Sequence, residues 1–276
     1  MLNIEKTRVG IGLEKPLKVL HITDSHLPLC EEGDDPRILA HGMKRDREAG
    51  LAALREEIEY GEENCDLILH TGDLIDFVTP SGAAFLREML KNPRFLFIAG
   101  NHEYWRCDGQ FEDRTYRMNS YMKMGDLGAD IFFISRVVGG VNFVGIDDAY
   151  HQVEDWQTQR LKREAEKGLP VVLFLHAPLF EQSLYEKSIP FWKDGSAYLV
   201  GCDEEHLLSY PEFRACEQRP TEATKRFVET VNADKRIKAV LAGHLHFGFE
   251  SRLPGGTLQV VTARGDRGNG REILFF

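Results

Sequence analysis

LILHTGDLID, residues 67–76, begins as a buried strand and ends in two carboxylates, Asp73 and Asp76. The apolar run Leu67, Ile68, Leu69 and His70 stops at Thr71-Gly72, where glycine lets the chain turn sharply and bring its backbone close to whatever Asp73 holds. In an open α/β sheet, ligands sit beyond the carboxyl ends of the strands. Upstream, LKVLHI (residues 17–22) predicts another strand, and Leu51, Leu54 and Ile58 recur at helical spacing across residues 44–60. Strand, helix and strand in succession predict a parallel β-α-β unit with Asp73 at one strand end.

Other predicted strands end in compatible residues. Residues 17–22 run into Asp24-Ser25-His26, and residues 95–99 run into Gly100-Asn101-His102-Glu103. Further on, residues 171–175 end at His176, and residues 237–241 end at Gly243-His244-Leu245-His246. Each piece is weak alone, because such short patterns recur by chance. Together they give one set at strand ends: Asp24, His26, Asp73, Asn101, His176, His244 and His246. Carboxylate, amide and neutral imidazole without thiolate suit manganese, iron, zinc or cobalt. The set is too large for one small ion and fits two ions that share a bridging carboxylate. Asp147 and Asp148, after the predicted strand 141–146, read as turn or supporting residues rather than ligands.

Composition narrows the classes. The 276 residues, 42% hydrophobic and 28% charged, fit a folded globular enzyme, read as a single domain over residues 1–276. The net charge of −10 argues against long nucleic acid as partner, since no basic face is available to supply affinity. Small phosphorylated substrates remain compatible if bound cations invert the local field. Five scattered cysteines (Cys30, Cys65, Cys107, Cys202, Cys216) suggest neither a disulfide framework nor a thiolate zinc site. Absence of a membrane-length apolar run and of a signal-like N-terminus makes cytoplasmic the expected location.

Asp24-Ser25-His26, Gly72-Asp73-Leu74-Ile75-Asp76, Gly100-Asn101-His102-Glu103, His176 and Gly243-His244-Leu245-His246 resemble, in order and spacing, the five-part signature of the calcineurin-like metallophosphoesterases. The resemblance implies an α/β (α+β) four-layer fold, a central β-sandwich of two mixed sheets flanked by helices. It implies that Asp24, His26, Asp73 and His246 hold one metal and that Asp73, Asn101, His176 and His244 hold a second. Asp73 would bridge them. His102 resembles the family's catalytic histidine, which protonates the leaving oxygen, and Asp76 the aspartate that orients and charges it. The expected cofactor is two divalent or trivalent ions (Mn, Fe, Zn or Co), and the expected chemistry is attack on a small phosphate ester by hydroxide those ions make available.

One position departs from the pattern. The Ser/Thr protein phosphatase branch follows its GDxxD with Arg-Gly, whereas this chain has Phe77-Val78. Arg264 or Arg267 are candidates to substitute, although a solvent-facing turn is the simpler reading of both. Whether the ester is a monoester or a diester stays open. A nuclease-type phosphodiesterase acting on nucleotides or nucleic acid ends, and a catalytically silent scaffold, are the alternatives. Residues 178–220 lose regular periodicity and read as an insertion or cap beside the site. Nothing in the sequence speaks to self-association.

Overall fold

A computed structural model describes residues 2–105, 122, 127 and 130–276. Among them the strands are β1 (Asn3–Val9), β2 (Leu17–Ile22), β3 (Leu67–His70), β4 (Phe95–Phe97), β5 (Phe133–Val138), β6 (Val141–Ile146), β7 (Val171–Phe174), β8 (Ile237–Ala242), β9 (Phe249–Arg252), β10 (Leu258–Val261) and β11 (Asn269–Phe275). One sheet has the order β1-β11-β2-β3-β4 and the other β5-β6-β7-β8-β10-β9. Both are mixed: β2, β3 and β4 run parallel while β11 opposes β2, and β6, β7, β8 and β10 run parallel while β5 and β9 oppose their neighbours.

The sheets pack face to face. Alternation along each strand sends Val19, Leu67, Leu69 and Leu96 inward to meet Val141, Phe143, Val172, Phe174 and Leu241 of the opposite sheet. The intervening residues Leu20, Ile22, Ile68, Phe95 and Phe97 face outward and are covered by Leu54 and Leu86. These two come from helices α2 (Arg47–Asn64) and α3 (Pro80–Met89), which follow the shorter α1 (Pro36–Gly42). On the far side, Val144, Leu173 and Val240 are covered by Leu161 and Ala165 of α4 (Asp155–Ala165) and by Phe227 and Val231 of a later helix, Glu222–Ala233. Burial on both faces is why the central strands read as continuous apolar runs. The expected four-layer sandwich is therefore observed.

Two stretches differ from expectation. Residues 30–43 are polar and acidic around Pro36, a composition that predicts loop, yet α1 forms there, capped by Asp35 with Pro36 in its first turn. Residues 179–220 showed no periodicity, yet they carry α5 (Gln182–Trp192), α6 (Glu204–Leu207) and α7 (Glu212–Gln218), after which Glu222–Ala233 is α8. Pro190 interrupts the first of these and the other two are too short to show a repeat. Leu184, Leu207 and Ala215 nonetheless pack with Leu199, Tyr210, Leu245 and Val261 into a cluster of their own. Edge strands β1 and β9 carry no strand signal in the sequence, because charged residues interrupt their alternation. Tyr104 and Trp105 of the aromatic stretch 104–125 are described, whereas Cys107, Phe111, Tyr116 and Tyr121 lie outside the described residues. Cys30, Cys65, Cys202 and Cys216 are free thiols. No helix among the described residues is long and apolar enough to cross a membrane.

Candidate metal centre and active site

All seven candidate ligands meet at one end of the sandwich, beyond the carboxyl ends of β2, β3 and β4 in one sheet and of β7 and β8 in the other. The loops after β2 and β3 stay zipped by backbone bonds past the strands: Asp24 N donates to Gly72 O (3.0 Å), His26 N to Asp73 O (2.8 Å) and Leu27 N to Leu74 O (3.0 Å). Bonds across the sheets lock the rest, with His244 N donating to Asp24 Oδ2 (2.9 Å) and His176 Nδ1 to Thr71 O (2.7 Å). Gly72, at φ +96°, lies so close to the next loop that a Cβ there would sit 2.5 Å from Gly100 N.

Five of the seven candidates hold left-handed backbone without being glycine: Asp24 (φ 54°), His26 (46°), Asp73 (54°), His244 (67°) and His246 (63°). Each such residue costs on the order of 1–3 kcal/mol, and clusters of them mark sites where geometry serves function.

The side chains form two groups that meet at Asp73. In the first, His26 Nε2 and His246 Nε2 are 3.0 Å apart, and Asp24 Oδ1 lies 3.7 and 3.4 Å from them. In the second, His176 Nε2 lies 3.0 Å from His244 Nδ1 and 3.1 Å from Asn101 Oδ1. Asp73 Oδ2 stands 3.8 Å from His26 Nε2 and 3.3 Å from His176 Nε2, so it faces both groups, while Asp73 Oδ1 accepts from His102 N at 2.8 Å. Donors about 2.1 Å from a common ion lie about 3.0 Å apart at right angles and about 3.4 Å apart at tetrahedral angles, and the separations here run from 3.0 to 3.8 Å.

The donor set fits metal ions on a further observation. Asp24 Oδ1 is buried and among the described residues has no hydrogen-bond partner, although its other oxygen is tied to Thr23 Oγ1 (2.8 Å) and His244 N. His176 donates from Nδ1 to a carbonyl, which leaves Nε2 as the lone-pair nitrogen facing Asp73. Charge balance agrees. Burial alone would lower His26, but Asp24 and Asp76 carry it up to about 10. Burial likewise would lower His176, but Asp73 outweighs it and carries the imidazole up to about 10. Burial would raise Asp24 and Asp73, yet the surrounding imidazoles hold both carboxyls well below their usual range. Protons on His26 and His176 thus occupy the place that cations would take.

His102 and Asp76 also come together: His102 Nδ1 lies 3.0 Å from Asp76 Oδ1. Asp76 does more than the sequence suggested, because the same oxygen bonds His26 Nδ1 at 2.9 Å. Its second oxygen forms an ion pair with Arg45 Nε at 3.0 Å, and His41 Nε2 lies 3.7 Å from it. Against burial, His102, His26 and His41 hold the Asp76 carboxyl far below its usual range. A guanidinium therefore reaches this corner, but from Arg45, ahead of α2. Arg264 turns instead to Asp266, and the Arg267 side chain is 73% exposed. Phe77, where the protein phosphatases carry arginine, is buried and stacks on Trp105 with ring centroids 5.6 Å apart.

Sequence reasoning missed several supporting residues. Glu103 is fully buried and accepts four backbone bonds, at Oε1 from Leu74 N (2.8 Å) and Ile75 N (3.1 Å) and at Oε2 from Asp73 N (2.8 Å) and Gly100 N (2.7 Å). Asp148, which the sequence does mark as a turn or supporting residue, accepts from His176 N (3.0 Å) and Ala177 N (3.2 Å). His21 joins Thr71 (2.9 Å) to Thr262 (2.8 Å), and His70 contacts Ser25 (3.0 Å); burial takes both imidazoles down to about 3, so they stay neutral. A lone sequence gives no signal that separates these from surface counterparts.

The chain matches the model of the family described as calcineurin-like phosphoesterase over residues 17–248. It is 25% identical over 256 residues to the 3',5'-cyclic adenosine monophosphate phosphodiesterase CpdA of Haemophilus influenzae, covering 91% of this chain and 77% of that protein. A Psychrobacter protein named "Probable cyclic nucleotide phosphodiesterase" is 27% identical over 208 residues, which are 70% of this chain and 49% of that one. Among solved structures, a dimetal phosphatase from Danio rerio shares the fold with a TM-score of 0.50 and 15% identity, over 90% of this chain and 88% of the other.

Proposed function

The chain belongs to the calcineurin-like phosphoesterase family, whose members hydrolyse phosphoric ester bonds with metal ions, and from that premise we propose that its substrate is a small phosphate ester and that His102 is the general acid. The observation that carries this reading is the pair of donor groups meeting at Asp73 with the His102–Asp76 pair beside them.

Asp24, His26, Asp73 and His246 would hold one ion, and Asp73, Asn101, His176 and His244 a second, with manganese, iron, zinc and cobalt all chemically suited. Ions bound there supply positive charge to the phosphate oxygens and lower the pKa of water, so that a nucleophile exists near neutral pH. Asp76 fixes the His102 ring by its Nδ1 edge, which leaves Nε2 to deliver a proton to the departing oxygen. Because Asp76 also holds His26, one carboxylate sets the orientation of both a ligand and the acid. The cavity over these groups holds about 260 Å³, a size that supports a small substrate. Trp192, Tyr198 and Arg214, all from residues 178–220, line it, which supports a cap role for that segment.

The names of the two curated relatives favour a diester as the second reading, so a cyclic nucleotide joins the assay panel. The test is to load the purified protein with each of the four metals and follow hydrolysis of 4-nitrophenyl phosphate, bis(4-nitrophenyl) phosphate and 3',5'-cyclic AMP. His102→Ala should lower turnover by about 10²–10⁴-fold with metal content unchanged. No hydrolysis of any ester with any metal would overturn the proposal.

A further inference from the structure

Trp192, Tyr198 and Arg214, which the segment 178–220 sends into the lining of the cavity, owe their positions to one turn. Helix α5 ends at Trp192, and the turn after it holds left-handed backbone at Lys193 (φ 60°), Gly195 (φ 81°) and Tyr198 (φ 57°). Lysine and tyrosine adopt that conformation only where their surroundings impose it.

Asp194 imposes it. Its Oδ1 accepts from Ser196 N and from Ser196 Oγ, each at 3.1 Å, closing the turn as aspartate side chains do. Its Oδ2 accepts from the Tyr198 hydroxyl and lies 3.5 Å from Arg214 Nε. One carboxylate therefore holds two cavity-lining side chains, although Asp194 is not among the residues that line the cavity. The same turn is fastened toward α7, where Tyr198 N donates to Gln218 Oε1 (3.0 Å), and Ala197 N donates to the Tyr210 hydroxyl (3.0 Å).

The effect reaches the metal side. The Tyr198 ring lies 5.6 Å from that of His244 and 5.2 Å from that of Trp192, which in turn lies 5.2 Å from that of His246. Ring contacts of this kind are individually weak, whereas a hydroxyl bonded to a carboxylate is roughly twice as strong as a neutral hydrogen bond. Asp194 thus decides where the Tyr198 ring stands, and with it the width left between that ring and the candidate ligands. Arg214 braces the ring: its guanidinium lies over Tyr198 at 4.8 Å and bonds Glu217 at 2.9 Å, so its charge is already met by carboxylates.

We propose that Asp194 is a positioning residue that sets the specificity of the site, holding Tyr198 and Arg214 as a fixed wall for the ester group that stays on phosphorus. The inference rests on the phosphoester reading above and adds to it the residue that selects among esters. A wall already held in place contacts that group without having to be ordered on binding, so its loss is felt in KM. An aspartate that only stabilised its turn would, on removal, weaken the protein and leave the choice among esters as it was.

The test uses two diesters of equal charge and identical leaving group, bis(4-nitrophenyl) phosphate and methyl 4-nitrophenyl phosphate, on the metal-loaded wild type, Asp194→Ala and Tyr198→Phe. KM is the quantity compared, because the second aryl group also changes reactivity. The wild type should show a KM about tenfold or more lower for the bis-aryl ester. Asp194→Ala should shrink that ratio at least about threefold, with kcat within about twofold and metal content unchanged. Tyr198→Phe, which keeps the ring and removes the hydroxyl, should shrink it in the same direction by less. Equal KM values in the wild type, or an unchanged ratio in Asp194→Ala, overturns the inference; if thermal unfolding shows that Asp194→Ala does not fold, an unchanged ratio in Tyr198→Phe overturns it. If the wild type hydrolyses neither ester, the catalytic reading itself fails and the wall is tested without turnover. The difference in acrylamide quenching of tryptophan fluorescence between each protein and its Trp192→Phe counterpart then reports how open Trp192 is. That difference should grow about twofold in Asp194→Ala, or in Tyr198→Phe if the former does not fold; no growth overturns the inference.

Discussion

Replacing Glu103 by glutamine should be among the most damaging near-isosteric changes available in this protein. The carboxylate spreads four accepted bonds over two oxygens, and all four donors are backbone N–H groups of the two loops that carry Asp73 and Asn101. An amide keeps only one oxygen. Whichever way it turns, its NH₂ group faces two N–H donors that have lost their acceptor, with donor pressed against donor. Two stranded buried donors at about 1–3 kcal/mol each give about 2–6 kcal/mol, a large part of the roughly 5–15 kcal/mol that holds a domain folded. At about 2–4 °C per kcal/mol, the melting temperature should fall by on the order of 10 °C. The Asp73 N–H is one of the four donors, so bound metal should decline together with stability. Urea titration with metal analysis of the same samples measures both. A change below about 0.5 kcal/mol with full metal content would refute the reasoning, because the four donors would then have to be satisfied elsewhere.

Other substitutions separate the roles of the site. Asp76→Asn should impair two functions at once, lowering metal retention through His26 and turnover through His102; a variant that loses turnover alone would show that His26 does not depend on this carboxylate. Arg45→Met removes the cation that fixes the other oxygen of Asp76 and should reduce kcat several-fold, more for phenyl than for 4-nitrophenyl esters, because poor leaving groups need the acid most. An equal loss on both esters would count against that. pH gives a fourth test: His26 and His176 are raised from 6.5 to about 10, so in chelated protein they contribute stability below about pH 6.5 that is lost as pH climbs toward 10. Melting temperatures of the chelated protein should therefore fall across that window, and added metal should flatten the trend by replacing the protons; a chelated protein that grows more stable with rising pH would contradict the assignment.

The sandwich, and the seven candidate residues that meet at one end of it, are legible in the sequence because two signals coincide there. Strands buried on both faces leave unbroken apolar runs, and chemistry-bearing residues follow each of them at once, as in LKVLHI before Asp24 and LILH before Asp73. What stayed hidden has no period. Helices of four and seven residues, such as Glu204–Leu207 and Glu212–Gln218, cannot complete an amphipathic repeat, so the segment that carries them reads as loop. Arg45 and Asp76 are far apart along the chain, and only the packing of the segment around α1 brings the guanidinium to the carboxylate. In the sequence Asp76 reads as a partner of His102 alone, because linear order cannot show that a second imidazole, His26, shares its oxygen.

The site draws its donors from both halves of the sandwich, with Asp24, His26, Asp73 and Asn101 on one sheet and His176, His244 and His246 on the other. An ion held across that seam is a removable rivet. Anything that binds the folded chain alone adds stability by mass action, about 2.7 kcal/mol at a hundredfold excess over its dissociation constant. Here the gain would fall on a single joint, so removing the metal should loosen one end of the sandwich first and open it to proteases there. Availability of metal in the cell would then govern how long the protein lasts as well as how fast it works.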